Sequence, residues 1–188
     1  MGMIDIIQPI DRSDSIALIT HMNPDGDAVG SLIALMRALD KMGKSVDAYC
    51  QDEVPGALNF LDGVARITRP IDPIKRYDLA IALDCSDRGR MGDCATIMDM
   101  ATSSANIDHH ISNTFYADIN IVDGGASATG EMIYELVELL IDSADKGIAE
   151  ALYTAIVSDT GGFAFSNTTA KTHRTAANLI EWGAETAK

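Results

Sequence analysis

Between Asp78 and Asp84 the chain reads Leu-Ala-Ile-Ala-Leu, an apolar run without polar interruption, bounded by a carboxylate at each end. A segment this short and this uniformly apolar is typical of a strand buried on both faces, which calls for a parallel sheet covered by helices above and below. Ile16-Ala-Leu-Ile-Thr20 has the same character, and residues 45–50, 104–107 and 118–122 read as further short strands. Between them lie helical patterns, first through Ala28, Leu32, Leu35, Met36 and Leu39, then over residues 128–141, 146–157 and 171–182, with Gly124-Gly125 breaking the chain before the second. Strands alternating with helices predict an α/β fold with an open, doubly wound, mostly parallel sheet, whose ligands bind outside the carboxyl ends of the strands. With no internal repeat and no linker, residues 1–188 read as one domain, long enough to bury a core without disulfides or a structural zinc.

The charge balance narrows the partners. Asp and Glu number 28 against 14 Lys and Arg, a net charge of −14, so the surface repels polyanions and tight binding to long DNA or RNA duplexes is not expected. A phosphate-bearing substrate then needs local positive charge. Cys50, Cys85 and Cys94 are odd in number and lack CxxC spacing; with neither a signal peptide nor an apolar run near 20 residues, no membrane span is expected and a reducing cytoplasm fits best. The oligomeric state stays open, a homodimer included.

The polar residues that matter sit where the apolar segments end. His21-Met-Asn-Pro-Asp25-Gly-Asp27 places an imidazole and two carboxylates in a tight turn after the first strand, a loop able to wrap a cation. The structural alternative is that Asp27 caps the following helix while Asp25 belongs to the turn. Asp84 ends a buried strand, where a carboxylate needs a cation or several donors; pairing with Arg88 or Arg90 is the commoner arrangement. Asp108-His109-His110 ends another strand, and adjacent imidazoles pointing different ways can serve as ligand and as substrate contact. Asp159 follows an apolar helix, and the Thr160-Gly161-Gly162 turn after it would let backbone approach a ligand.

Taken in order, these clusters resemble the four motifs of the DHH phosphoesterase superfamily, and the resemblance runs from about Ile16 to Trp182. Four segments are most similar to the nanoRNase/pAp-phosphatase branch: residues 83–92, 106–114, 126–134, and 158–163 with 166–169. The resemblance implies a two-metal phosphohydrolase, usually manganese-dependent, with His21, Asp25 and Asp84 on one ion and Asp27, Asp84, His109 and Asp159 on the other. Asp84 would bridge. His110 would contact the scissile phosphate or assist the leaving group, with Asp108 orienting a neighbouring histidine; Arg88, Arg90 and Asn167 are the implied substrate contacts. The donor types agree with that chemistry, since carboxylates favour hard ions and imidazole shifts the preference toward Mn²⁺, with Mg²⁺, Co²⁺, Fe²⁺ or Zn²⁺ as alternatives. Two ions about 3.5–4 Å apart can activate water for in-line attack on phosphorus.

The implied substrates are short oligoribonucleotides and 3′-phosphoadenosine 5′-phosphate (pAp), with pApA a further one. Within the superfamily the rivals are a cyclic-di-AMP phosphodiesterase, a single-strand exonuclease and a pyrophosphatase. Outside it stands a non-catalytic nucleotide-binding module. A Rossmann dinucleotide site is set aside, because Pro24-Asp25-Gly26-Asp27 replaces the glycine-rich phosphate loop. Two departures from the branch are visible. The glycine-rich, histidine-containing motif of a second, C-terminal substrate-binding domain is absent before Lys188, and Ala164 stands where related sequences often carry a basic residue.

Overall fold

The computed structural model describes residues 2–69 and 75–187. Its sheet has six parallel strands: β1 (Ser15–Ile19), β2 (Ser45–Tyr49), β3 (Ile67–Thr68), β4 (Leu79–Leu83), β5 (Ser103–Asp108) and β6 (Ile119–Val122). Six α-helices accompany them: α1 (Ile7–Arg12), α2 (Gly26–Lys41), α3 (Ala95–Met100), α4 (Thr129–Leu140), α5 (Lys146–Asp159) and α6 (Ala170–Glu181). The strand order is β3-β2-β1-β4-β5-β6, so the winding reverses between β1 and β4. Crevices in such sheets open at that reversal. Among the described strands and α-helices, three short ones go beyond the sequence reading: the helices α1 and α3, and the edge strand β3.

The expectation for residues 79–83 holds, as every residue of β4 is buried. Leu79, Ile81 and Leu83 join Ile16 and Leu18 in the larger core, under α2, α4 and α5. Ala80 and Ala82 face the other way with Ala17 and Ile19, where Met91, Cys94, Ile97 and Met98 cover a thinner layer. Helix α2 is buried almost all round, with Leu32, Ile33, Leu35, Met36 and Leu39 fully enclosed. Each such side chain contributes about 1.5–3 kcal/mol relative to exposure. No described helix is long and apolar enough to cross a membrane.

Small residues let α2 and α5 approach closely. A Cβ added at Gly30 would lie 2.3 Å from the Ala151 carbonyl oxygen and 3.0 Å from the Ala155 Cβ. Because the first neighbour is backbone, it cannot swing aside. Gly30→Ala is therefore expected to lower stability by about 1–3 kcal/mol, overriding a helix-propensity gain of about 1 kcal/mol. Gly147→Ala, whose nearest neighbours would be the far end of the Arg37 side chain, needs only that end to shift against its pairing with Asp145 and Asp62 and should cost less, about 0.5–1 kcal/mol. Urea midpoints of the two variants check the contrast.

Candidate metal centre

The two strands that flank the reversal deliver the first side chains. Thr20, just past β1, donates its hydroxyl to the Leu83 carbonyl of β4 at 3.1 Å, pinning the two strand ends together. His21 and Asp84 follow directly. Asp84 adopts a left-handed backbone (φ +57°), a conformation that costs roughly 1–3 kcal/mol outside glycine. Helix α2 then starts at Gly26, and its cap corrects the alternative reading. It is Asp25 whose Oδ1 accepts the backbone N–H groups of Asp27 and Ala28, both at 3.0 Å. Asp27 lies inside the first turn, fully buried, with its carboxylate on a different helix. It accepts from the backbone N–H of Thr129 at 2.7 Å and of Gly130 at 2.8 Å, at the N-terminus of α4. That end carries partial positive charge and unsatisfied donors, so it suits a carboxylate.

Two histidines face this group with Nε2. His21 donates Nδ1–H to the Met22 carbonyl at 2.8 Å, and His109 Nδ1 lies 3.4 Å from the Ala126 carbonyl. Those bonds put the Nδ1 proton on the carbonyl side, so each ring turns Nε2 toward the carboxylates and can offer its lone pair once that nitrogen is unprotonated, the arrangement found in metal-ligating histidines. His21 Nε2 sits 3.3 Å from Asp84 Oδ2 and 4.0 Å from Asp25 Oδ1. His109 Nε2 sits 3.6 Å from Asp84 Oδ1, 3.8 Å from Asp27 Oδ2 and 3.4 Å from Asp159 Oδ2. Asp84 thus turns one oxygen toward each histidine. Among the described residues the donor atoms form three compact sets, His21 with Asp25 and Asp84, Asp27 with His109 and Asp159, and Asp84 with His109 and His110.

Electrostatics test whether a cation belongs here. Burial, with Asp84 close by, raises the Asp27 carboxyl well above its ordinary value, and burial raises Asp159 as well. Burial alone would lower His21, but its bonds to Asp84 and Met22 outweigh that and raise it. Among the described residues, the ion-pair partners of Asp25, Asp27, Asp84 and Asp159 are all histidines, with no lysine or arginine among them. Carboxylates crowded together with open imidazole nitrogens fit divalent ions. The donors suit hard to borderline metals.

His110 is held differently from its neighbour. Its Nδ1–H donates to Asp108 Oδ1 at 2.7 Å, and its ring is tilted 58° from that of His109. The same Nδ1 lies 3.6 Å from Asp84 Oδ1. Burial would raise Asp108, yet hydrogen bonds from His110 and Asn113 hold it below the usual carboxylate value, and the Asp108 bond in turn raises His110. Asn113 was not singled out from the sequence. Its Nδ2 donates to Asp108 Oδ2 at 2.6 Å and to Asn106 Oδ1 at 2.7 Å, while Asn106 anchors on the Ala82 and Cys85 carbonyls. Thr129 was also missed, although residues 126–134 carry part of the resemblance. Its hydroxyl donates to Asp84 Oδ1 at 3.0 Å.

The remaining sequence-predicted residues lie less directly at the cluster. Arg88 is drawn to the Asp99 carboxylate and the Ala95 carbonyl, so it does not pair with Asp84. Arg90 is half-buried and close enough to His110 to oppose its protonation. Asn167 Nδ2 donates to the carbonyls of Ser127 at 2.9 Å and Asp159 at 3.0 Å, tying the end of α5 to the start of α4. Asp159 is the last residue of α5 itself. The glycine turn after it differs from expectation, because the space a Gly161 side chain would need is filled by the Phe165 ring, 2.5 Å from the added Cβ.

A doubly wound sheet whose reversal point gathers histidines and aspartates in facing sets defines an α/β domain built around a candidate metal centre. The chain belongs to the DHH family: the sequence model of the "DHH family, N-terminal domain" matches residues 15–156. Its relatives include the "Bifunctional oligoribonuclease and PAP phosphatase NrnA" of Thermus thermophilus, 34% identical over 92% of this chain and 52% of the relative. The protein of the same name from Bacillus subtilis is 31% identical over 95% of this chain and 56% of its own length. The chain therefore spans about half the length of these relatives. Among solved structures, an exopolyphosphatase-related protein from Bacteroides fragilis superposes with a TM-score of 0.90 at 24% identity, covering 97% of this chain and 57% of that one. This last likeness shows the fold.

Asp84→Asn should disturb both ion positions, and His109→Ala should lose metal that His110→Ala keeps. Calorimetric titration with Mn²⁺ counts the ions; equal loss in both histidine variants contradicts the division. A pH dependence follows from the raised groups. A carboxyl or imidazole whose folded pKa is raised contributes stability at low pH and loses it as pH climbs through that value. The window opens near the ordinary carboxylate value of 3.8 and extends beyond the ordinary imidazole value of 6.5. Divalent ions replace the departing protons, so the Tm gain on adding Mn²⁺ should be larger at about pH 8 than at about pH 5.

Proposed function

We propose that this domain carries the active site of a manganese-dependent phosphoesterase that hydrolyses short oligoribonucleotides and pAp in the cytoplasm. The observation that carries this reading is Asp84, with its two carboxylate oxygens turned to different histidines beside a third imidazole that is backed by a buried aspartate. The substrate class follows the names of the Thermus and Bacillus relatives. His21, Asp25 and Asp84 would hold one ion, and Asp27, Asp84, His109 and Asp159 the second. Bound there, the pair would supply Lewis-acid polarisation of the phosphate and acidify the attacking water.

The chain's own groups do the rest. His110, its Nδ1–H held by Asp108, which also raises its pKa, can present a proton on Nε2 to the phosphate or leaving-group oxygen as the P–O bond breaks. Asn113 and Thr129 fix the angles of Asp108 and Asp84 through hydrogen bonds. Arg90 supplies the local positive charge a phosphate requires on a surface that is otherwise acidic. Arg88 would first have to leave Asp99, and Asn167 has only its buried, unpartnered Oδ1 to offer a substrate.

A hydrolysis screen with Mn²⁺ over pAp, pApA, short RNA, cyclic di-AMP and pyrophosphate tests the reading. Turnover of pAp and short RNA is the expected result; preference for pyrophosphate or cyclic di-AMP contradicts it. Loaded ions with no hydrolysis would point to a binding module. His110→Ala should lower turnover about 10²–10⁴-fold while metal binding persists.

A further inference from the structure

Beside the metal cluster, on the α5 side, runs a groove of about 360 Å³ that the chemistry above leaves unused. Gly26 and Ser158 both line it and pack tightly together, as a Cβ on Gly26 would lie 2.6 Å from the Ser158 Cβ. Asp25 lines the groove and also stands in the donor set with His21 and Asp84, so the groove adjoins the cluster. Its walls are apolar, with Pro55, Leu58 and Phe60 across from Tyr153 and Val157. Phe60 is 42% exposed, an aromatic face open to solvent.

We propose that this groove is a nucleobase subsite, holding the base of a nucleotide whose phosphate lies at the metal cluster. Its size falls within the range of small-ligand pockets, roughly 300–1,000 Å³, and such pockets combine apolar walls with a few polar groups. Charge decides against a second phosphate. Among the described residues, Asp25, Glu150 and Glu185 line the groove and no lysine or arginine does, while Lys146 pairs with Glu150 and Glu185 from outside it. A phosphate chain would be repelled, whereas a neutral base can stack on Phe60 or Tyr153. Thr154, whose hydroxyl proton is committed to the Glu150 carbonyl, presents an acceptor oxygen and so favours a base that carries an exocyclic amine, as adenine, cytosine and guanine do. The groove would thereby distinguish nucleotides from inorganic polyphosphates at one metal centre.

This reading rests on the nucleotide phosphoesterase assignment, but base binding can be measured without turnover. Saturation-transfer NMR with adenosine, which has no phosphate, should show transfer to the adenine protons in the metal-free protein. Thr154→Trp, which fills the groove, should abolish it, and Phe60→Ala should weaken it while Phe60→Trp retains it. In parallel, kcat/KM for pAp relative to its abasic analogue should fall about 10-fold in Phe60→Ala and Thr154→Trp, the scale of one lost base–aromatic stack. Adenosine transfer without any hydrolysis would support the subsite while removing the hydrolytic reading. Hydrolysis of pAp with no adenosine transfer, or with a pAp-to-abasic ratio unchanged in both variants, would overturn the subsite and leave the groove to another occupant, such as further polypeptide.

Discussion

Asp27 and Asp84 are buried almost completely within one crevice, where two carboxylates repel each other and have lost most of their water. The surrounding architecture answers that repulsion. The N-terminus of α4 gives Asp27 two backbone donors, the Thr129 hydroxyl gives Asp84 one, and His21 and His109 present ring nitrogens from opposite sides. Hydrogen bonds alone leave Asp27 with a strong preference for its proton. A divalent ion relieves the same strain by replacing the proton, which makes metal binding and local stability one linked equilibrium.

Topology is what brings these groups together. Parallel pairing of β1 with β4 places Thr20-His21 beside Leu83-Asp84, and parallel pairing of β4 with β5 sets Asp108-His109-His110 alongside. Helix α2 must then lie close enough to α4 and α5 for Asp27 to reach the amides of one and Asp159 to approach from the end of the other. Gly30 and Gly130 make that packing feasible, since a Cβ on either would meet Ala155 at 3.0 Å or less. Packing small residues in α2, α4 and α5 is therefore as much a part of the candidate centre as the side chains that could hold an ion. The left-handed Asp84 is the strain accepted in exchange.

How much of this could be read from the residues varies with the physics involved. The uniformly apolar run before Asp84 and the His and Asp residues at segment ends marked the parallel sheet and its functional edge, because burial on both faces and strand-end chemistry leave local signatures. Helix α3 left none, being six residues long, and β3 is a two-residue pairing defined by its neighbour. Helix α1 contains Pro9, tolerated because it falls in the first turn, which masks the helical pattern. The roles of Asn113 and Thr129 depend on contacts 5 and 45 residues away in sequence, and no spacing rule marks such partners. The alternative that Asp27 caps α2 failed for a similar reason: Asp25 takes the cap, while Asp27 turns its carboxylate to the N-terminus of α4, about a hundred residues further along the chain.

Asp84 lies between the two candidate ion positions, with one carboxylate oxygen turned to each. Anomalous scattering at the manganese edge from crystals grown with Mn²⁺ tests this directly. Two peaks are predicted, one beside Asp84 Oδ2 and His21 Nε2, the other beside Asp84 Oδ1 and His109 Nε2. A single peak, or peaks that Asp84 does not touch, would contradict it.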